Sequence, residues 1–257
     1  TLNTVIFCPE DLQLIKGTPS GRRRFLDMEI SQTSATYYHQ LMQYNRLLQQ
    51  RNAVLKEYRG KQNIPLEEWD LQLADMASFI VKKRLESLKK INLLIDLMNR
   101  KLTGGLENLT IGYEQPYMDN GSLEYTKEGF YERIKAALPQ DRHRMTTSVG
   151  PHRDDLRFFS DAMDLKKFGS QGQQRTAVLS LKLSELEFIK SEVGEYPVLL
   201  LDDVLSELDE SRRANLLQFI HKRIQTFITT TDIHDFKDLK SVQFISCEGG
   251  KVQYGQP

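Results

Sequence analysis

In the last quarter of the chain, four consecutive apolar residues lead directly into two carboxylates, and this run constrains the fold most. Residues 198–201 contain no polar position, so the strand that they predict is buried on both faces. Helical patterns at 173–193 and 211–221 flank it, and a further strand is predicted at 226–231. This alternation of helices and buried strands predicts an α/β fold with a parallel sheet.

The segment 31–101 has a different character, being rich in Leu, Gln, Lys, Arg and Glu with a single proline. Apolar residues at helical spacing predict two long helices, one on Leu41, Tyr44, Leu48 and Leu55, the other on Leu85, Leu88, Leu93 and Leu97. A break with glycine and proline at 59–65 predicts that the two helices form an antiparallel hairpin. The first arm should reach roughly 40 Å at about 1.5 Å per residue.

Shorter patterns fill the remaining chain and suggest three segments. Strands are predicted at 4–7, 109–113 and 156–159, a turn at 118–122, a helix at 21–30 with Ser20 as its N-cap, and a helix at 127–138 ended by Pro139. We predict that residues 1–30 end a head core and link it to a helical arm lobe at 31–103. Residues 104–257 would form the rest of the head.

Composition excludes several classes of protein. Lys plus Arg and Asp plus Glu are 35 each, so a net charge of zero gives no general attraction to nucleic acid and any such contact needs a local patch. No apolar run approaches the roughly 20 residues that span a bilayer, and no secretory signal opens the chain, which predicts a cytoplasmic protein without membrane contact. Cys8 and Cys247 lack the spacing of a disulfide framework or a zinc site.

The two carboxylates after the apolar run are the first candidate site. Asp202 and Asp203 follow the strand at the edge where open α/β sheets bind ligands. In a nucleotide-binding protein Asp202 would hold Mg²⁺ and Asp203 would orient the attacking water. A strand that ends in a solvated acidic turn explains the same residues, and this pattern by itself leaves both interpretations open.

Two other segments favour the nucleotide interpretation. Before the helix at 173–193 the chain reads Phe168-Gly169-Ser170-Gln171-Gly172-Gln173, similar to the signature of ABC ATPases. A hydroxyl and free N–H groups at a helix N-terminus suit a phosphate, although a simple loop and helix cap would use the same residues. Ser206, Glu207, Leu208 and Asp209 then follow the strand at the spacing of a D-loop.

Beyond these motifs the chain resembles the RecF family over almost its whole length. One set of matching residues is Pro9-Glu10-Asp11, Lys16-Gly17-Thr18-Pro19 and Arg22-Arg23-Arg24-Phe25-Leu26-Asp27. A second set is Leu201-Asp202-Asp203-Val204, Ser206-Glu207-Leu208-Asp209 and Arg212-Arg213, with Gly150-Pro151-His152-Arg153-Asp154-Asp155-Leu156 between the two.

The resemblance implies an ABC/SMC-type ATPase head with a helical lobe. It implies a protein of DNA replication, repair, recombination and the SOS response that binds DNA at junctions of single and double strands. When complete, such a protein binds ATP with Mg²⁺ and dimerises on ATP, with Ser170, Gln171, Gly172 and Gln173 meeting the nucleotide of the other subunit. Its expected partners are RecR and RecO, and its expected role is to help load a recombinase at gapped DNA.

The chain departs from the family pattern in three ways. No segment matches the Walker A loop GxxxxGK[ST], so we expect a C-terminal part that is inactive alone, and whether it counts as an enzyme stays open. Asp203 stands where most ABC proteins have Glu, which implies slow hydrolysis. Thr231 stands at the position of the switch histidine, while His234 is expected to be a loop residue.

Basic clusters are weaker candidates for DNA contact. Arg22, Arg23 and Arg24 point in three directions on a helix, so at least one should pair internally with Asp27 or Glu29. A second cluster is either a DNA contact or a solvated helix face, and the latter is favoured; it consists of Lys82, Lys83, Arg84, Lys89 and Lys90. His152 and Arg153 are expected to have a structural or interface role.

Two other functions remain open. The chain could be a non-catalytic interaction module, in which a helical arm on half a head binds a protein partner without hydrolysing ATP. It could also be another SMC-like ATPase with a role in chromosome structure, although a hairpin of roughly 70 residues is far shorter than a long SMC coiled coil.

Overall fold

A computed structural model describes residues 2–58, 65–105, 107–117, 125–231, 236 and 242–255. The helices are α1 Gln13–Lys16, α2 Pro19–Thr33, α3 Ala35–Glu57, α4 Glu67–Thr103, α5 Lys127–Ala136, α6 Leu138–Arg144, α7 Leu165–Phe168, α8 Gln171–Val193 and α9 Glu210–Ile220. The strands are β1 Thr4–Phe7, β2 Leu109–Glu114, β3 Asp155–Ser160, β4 Met163–Asp164, β5 Val198–Asp202, β6 Thr226–Thr229, β7 Phe244–Glu248 and β8 Lys251–Gly255. Short 3-10 turns lie at Pro9–Leu12, Pro151–Arg153 and Leu205–Glu207.

The predicted parallel sheet is confirmed, with strand order β1-β5-β6. Val5 pairs in register with Leu199, and both are 1% exposed because α8 covers that face of the sheet. On the other face Ile6, Leu200 and Phe227 form one row across the three strands. Ile6 and Phe227 are more than half exposed, so this face is open in the described part of the chain.

Two smaller sheets lie outside this core. Strands β2, β3 and β4 form an antiparallel sheet, and β7 and β8 form a hairpin. The strands predicted at 109–113 and 156–159 are confirmed as β2 and β3. No sequence pattern predicted β4, β7 or β8, and the turn predicted at 118–122 lies outside the described residues.

The two long helices are confirmed, and they pack against each other. The apolar face predicted for the second one was partly wrong, because Leu93 is 76% exposed and Leu97 is 46% exposed. The buried stripe of α4 instead includes Ile80, Val81, Arg84, Leu88, Ile91, Ile95, Met98 and Leu102. This 37-residue helix also packs against α5, α8 and β2, so its buried face is set by several neighbours.

Prolines account for two corrections to predicted helix boundaries. Helix α2 begins at Pro19 after Thr18, and not after Ser20 as predicted, because proline fits the first helical turn, where no N–H is needed. For the same reason Pro139 does not end a helix but lies in the first turn of α6, while α5 ends at Ala136. Among the described helices, none is both long and apolar enough to cross a membrane.

Candidate functional site

The two aspartates at the end of β5 are held by the neighbouring strand β6. Asp202 is the last residue of β5, and its Oδ1 accepts a hydrogen bond from Thr229 Oγ1 at 2.6 Å. The Asp203 N–H donates to the same threonine, to Oγ1 at 3.1 Å and to the carbonyl at 3.3 Å. Both carboxylates are exposed, so their oxygens are accessible at the carboxyl edge of a parallel sheet.

Thr229 therefore orients Asp202, while Thr231, the predicted switch position, lies beyond the end of β6. Strand β6 ends at Thr229, two residues earlier than predicted, and Thr231 is exposed beyond it. His234 lies outside the described residues. Sequence reasoning missed Thr229, although its place at the carboxyl end of the next predicted strand was a usable signal.

The segment similar to an ABC signature forms the N-terminus of α8. Ser170 is the N-cap, its Oγ accepts from the Gln173 N–H at 3.2 Å, and Gln173 Oε1 accepts from the Ser170 N–H at 3.0 Å. The N–H groups of Gln171 and Gly172 lie in the first turn, where an α-helix provides no acceptor. The Ser170 hydroxyl keeps its own proton to donate, so three donors are available to an anion at this exposed end.

A close backbone approach precedes this helix. An added Cβ at Gly169 would lie 2.7 Å from the carbonyl oxygen of Leu165, so only glycine fits between α7 and α8. Further along, Arg175 and Val178 in the second and third turns of α8 line a small pocket with the end of β1 and the segment after β5. The second and third turns of α8 thus lie beside the end of β1 and the segment after β5, at the carboxyl edge of the sheet.

The predicted D-loop residues connect β5 to α9. Ser206 Oγ donates to the carbonyl of Asp203 at 2.8 Å, Leu208 is buried, and Asp209 caps α9 by accepting from the Arg212 N–H at 2.9 Å. Glu207 ends the 3-10 turn between them. This segment therefore links the position of Asp203 to the start of α9.

The donor set fits Mg²⁺ and a phosphate only in part. Asp202 supplies carboxylate oxygens, the ligands that Mg²⁺ prefers, and the start of α8 supplies N–H and O–H donors. Within the described ranges no three His, Cys, Asp or Glu side chains converge on one point, so water and phosphate oxygens would have to complete the coordination of the metal.

A second group of candidate residues lies away from that edge, on α2. Arg22 is buried, and its guanidinium forms a two-pronged ion pair with Asp155 at 2.7 and 2.8 Å. The prediction of an internal pair holds for this residue, but its partner is neither Asp27 nor Glu29, because α2 packs against β3. Arg23 donates to the carbonyl of Asp154 at 2.6 Å, and Arg24 is exposed.

Asp27 instead pairs with an arginine of the basic cluster on α4. The Arg84 guanidinium donates to both oxygens of Asp27 at 2.9 and 3.0 Å and to the carbonyl of Pro151 at 2.7 Å. Arg84 is only 2% exposed, whereas Lys82 is exposed and Lys83 pairs with Glu86 at 2.7 Å. Sequence reasoning treated Arg84 as part of a solvated face, although its place among Ile80, Val81 and Leu88 was a signal of burial.

His152 is part of the same buried region. Burial lowers its pKa to about 4, so the ring is neutral at pH 7. Its Nε2 contacts the carbonyl of Thr147 at 3.0 Å and therefore carries the proton, while Nδ1 accepts from the Tyr44 hydroxyl at 2.6 Å. The expected structural role of His152 fits this geometry. Gly150 has φ +130 and leaves no room for a Cβ beside Tyr44, which explains the glycine before Pro151.

Asp154 completes this polar network. Its carboxylate accepts from the hydroxyl of Tyr117 at 2.7 Å and from that of Tyr113, and Arg84 lies 3.4 Å away. Burial raises the pKa of Asp154, and the charge of Arg84 opposes that rise. The segment after Gly150 is thereby fixed to α2, α4 and β2, so the residues of the Gly-Pro-His-Arg-Asp-Asp motif hold the elements together.

Known proteins similar to this chain share one description. The chain is 50% identical over 241 residues to the DNA replication and repair protein RecF of Alkaliphilus oremlandii, covering 93% of this chain and 66% of that protein. It is 45% identical over 258 residues to the protein of that description from Halalkalibacterium halodurans, covering 98% and 70%. The chain thus spans slightly less than two thirds of the first relative's length. No family model matches the chain.

Solved structures agree with the sequence relatives. Two structures of the recombination mediator protein RecF in the RecFOR pathway, one with ATP and one with ATPrS, superpose with TM-scores of 0.88 and 0.87. Both are 36% identical to this chain and cover 98–99% of it, and the chain covers 68% of each. The parallel sheet with its helical hairpin is accordingly an ABC-type head with a helical lobe, and the chain belongs to the RecF family of DNA replication and repair proteins.

Proposed function

We propose that this chain is the part of a DNA repair and recombination protein that supplies the signature and the Walker B edge of an ATP-dependent dimer. The observation that carries the proposal is the exposed pair Asp202 and Asp203 at the carboxyl edge of the parallel sheet, with the second and third turns of α8 beside that edge. Solved RecF structures with ATP and ATPrS, at 36% identity, support a nucleotide at such an edge.

Each residue of the edge has a distinct proposed role. Asp202, oriented by Thr229, would hold Mg²⁺ through a carboxylate oxygen. Asp203, whose backbone is held by the same threonine, would position the attacking water. The hydroxyl of Ser170 and the N–H groups of Gln171 and Gly172 would donate to the γ-phosphate held by a second subunit. Bound ATP supplies the transferable phosphoryl group and the charge that draws the two subunits together.

Gln173 and the D-loop would act through other residues. Gln173 caps Ser170 and donates to Glu107 at 3.1 Å, so it would fix the orientation of the serine. The D-loop would couple the position of Asp203 to that of α9 and to the dimer contact. It consists of Ser206, Glu207, Leu208 and Asp209. Thr231 stays a prediction for the switch position.

The wider function follows from the family. We propose that the complete protein binds DNA with junctions of single and double strands, works in the cytoplasm with RecR and RecO, and helps load a recombinase at gapped DNA. The relatives' description as DNA replication and repair proteins and the RecFOR pathway of the solved structures support this role. The division into 1–30, 31–103 and 104–257 belongs to the same proposal.

A non-catalytic role is the second candidate for the chain on its own. No GxxxxGK[ST] occurs in the 257 residues, so no lysine of that loop is present to hold the β- and γ-phosphates. In that case ATP turnover would require a polypeptide segment that carries the Walker A loop.

The signature assignment is tested in a protein that joins this chain to a Walker A segment. Ser170→Arg should abolish ATP-dependent dimerisation and leave ATP binding by the same subunit unchanged, because its side chain would occupy the site of the partner's γ-phosphate. Sedimentation velocity with and without ATP measures the dimer, and equilibrium dialysis measures nucleotide binding. Ser191→Arg, at the other end of α8, is the matched control. Normal dimerisation of Ser170→Arg would refute the assignment.

A further inference from the structure

An open groove of about 460 Å³ lies between α2 and α3, away from the proposed nucleotide edge. One face of α2 provides Arg23, Arg24 and Met28, and α3 provides Tyr38 and Leu41. Its volume is in the range of pockets that hold a ligand or the side chains of a partner.

The floor of the groove is already occupied by satisfied polar groups. Arg84 is neutralised by Asp27 and Asp154, and the neutral ring of His152 is bonded at both nitrogens. These side chains shape the groove but leave no unpaired cation on its floor for a ligand.

The two arginines at the rim differ from the floor in this respect. Arg23 donates only to a neutral carbonyl, that of Asp154, and Arg24 has no ion pair with any residue that the structure describes. Burial, and next the positive charge of Arg84, lowers the pKa of Arg23, while the carboxylates of Asp154, Asp155 and Asp27 oppose that fall. The rim therefore carries Arg23, a cation with carboxylates nearby, and Arg24, an exposed cation to which an anionic group would bind.

Apolar side chains lie directly beside these charges. Met28 is 52% exposed and Tyr38 is 48% exposed, and both line the groove. Exposed methionine and tyrosine side chains are typical of protein-binding surfaces, since they bury a large area and adapt their shape. A duplex phosphodiester backbone would gain little from them, because it is bound mainly through rows of cations. The pairing of two charges with apolar walls favours a carboxylate that has an apolar neighbour.

We propose that this groove docks an acidic segment of a partner protein. A carboxylate of that segment accepts hydrogen bonds from Arg23 and Arg24, and an adjacent apolar side chain packs between Met28 and Tyr38. The surface is separate from Asp202, Asp203 and Ser170, so it operates whether or not the nucleotide assignment holds. Contact of the same arginines with DNA, which the sequence alone left open, is the competing outcome.

The test selects 12-residue peptides that bind the folded protein from a random library. Fluorescence anisotropy then measures the affinity of the enriched peptides for the protein. The enriched peptides should contain Asp or Glu next to Leu, Phe, Met or Ile. Arg24→Gln should weaken their binding about 10- to 100-fold, as expected for loss of a hydrogen bond between charged groups. Met28→Ser should weaken it as well, while Lys89→Gln, an exposed change outside the groove, should have no effect.

Two results would overturn the proposal. One is a set of enriched peptides that lacks acidic residues, or a set of acidic peptides that bind the Arg24→Gln variant as tightly as the unchanged protein. The other is that Arg24→Gln weakens the binding of a labelled 30-nucleotide single strand but not the binding of the peptides. That result would assign the arginines to nucleic acid. Arg24 is exposed, so this variant should fold normally, and its thermal unfolding serves as the check.

Discussion

At the scale of single residues, Asp202 and Asp203 are neighbours whose surroundings differ. Asp202 has ordinary strand geometry, and its side chain is held by Thr229. Asp203 has a left-handed backbone with φ +51, and it is held through its N–H and not through its carboxylate. The side chain of Asp203 is consequently free to orient water, whereas that of Asp202 is fixed as a metal ligand would be.

Asparagine substitutions should separate these two roles in a protein that includes the Walker A segment. Asp202→Asn should weaken Mg²⁺-nucleotide binding and hydrolysis together, because a charged oxygen ligand is lost. Asp203→Asn should preserve binding and prolong the ATP-bound dimer while slowing hydrolysis by about 10²- to 10³-fold. Asparagine tolerates a left-handed backbone, so the second change adds no strain. Nucleotide affinity, single-turnover hydrolysis and dimer lifetime are measured. Loss of binding in both variants would place Asp203 in the metal site.

A buried charge cluster around Lys182 gives a second argument at this scale. Lys182 on α8 lies 3.3 Å from Asp11 and 3.4 Å from Glu185, with its ammonium over the ring of Phe25. Glu29 from α2 is also buried, and its Oε2 has no hydrogen-bond partner. Burial raises the pKa of Glu29 from 4.5 to about 7, although the charge of Lys182 opposes the rise. One lysine thus faces three carboxylates, and burial raises the pKa of Glu185 as well, so protons on this pair of glutamates relieve the excess negative charge.

Stability should therefore fall as pH rises through this range. Because the folded chain binds the Glu29 proton more tightly than the unfolded chain, raising the pH from about 4.5 to about 7 lowers the free energy of unfolding. Glu29→Gln keeps the shape without the charge, so it should match the unchanged protein near pH 4.5. At pH 8 it should be more stable by up to about 3 kcal/mol. Urea unfolding across this pH range measures the difference, with exposed Glu68→Gln as control. A difference that does not vary with pH would contradict the assignment.

At the scale of elements, the basic face of α4 is partly neutralised by the fold. Lys83 pairs with Glu86 on the same helix, and Lys90 pairs with Glu192 at the end of α8 at 2.5 Å. Lys82 and Lys89 are exposed. Arg84, between them in sequence, points inward and joins α4 to α2 and to the segment after Gly150. The row of cations in the sequence is thus divided between solvent, local ion pairs and the interior.

This division predicts a small contribution of α4 to DNA binding. Each phosphate contact contributes about 0.9 to the slope of log K against log salt, so the two unpaired lysines limit the effect to about 2. We expect little or no change in slope when four lysines become alanine, namely Lys82, Lys83, Lys89 and Lys90. A control variant with the same loss of charge has alanine in place of four other lysines, namely Lys166, Lys167, Lys222 and Lys251. A fall of about 3 to 4 in the slope of log K against log salt, seen for the first variant alone, would show that all four lysines contact phosphate.

At the scale of the whole molecule, the parallel sheet is covered on one face by α8, and among the residues that the structure describes none covers Ile6 and Phe227 on the other face. Parallel sheets as a rule are buried on both faces. The open row of Ile6, Leu200 and Phe227 is therefore apolar surface that another polypeptide segment would stabilise by covering it, by about 1.5–3 kcal/mol for each side chain fully buried.

The sequence by itself determined the two long helices, the parallel core and the strands β1, β2, β3 and β5, because these depend on local periodicity and on residues a few positions apart. Only the tertiary structure decided which charges are buried and with which partners. Arg22 pairs with Asp155, 133 residues away, and Arg84 with Asp27, 57 residues away. Whether a charge on a helix faces solvent or a distant carboxylate depends on which elements pack against that helix, and no local pattern contains that information.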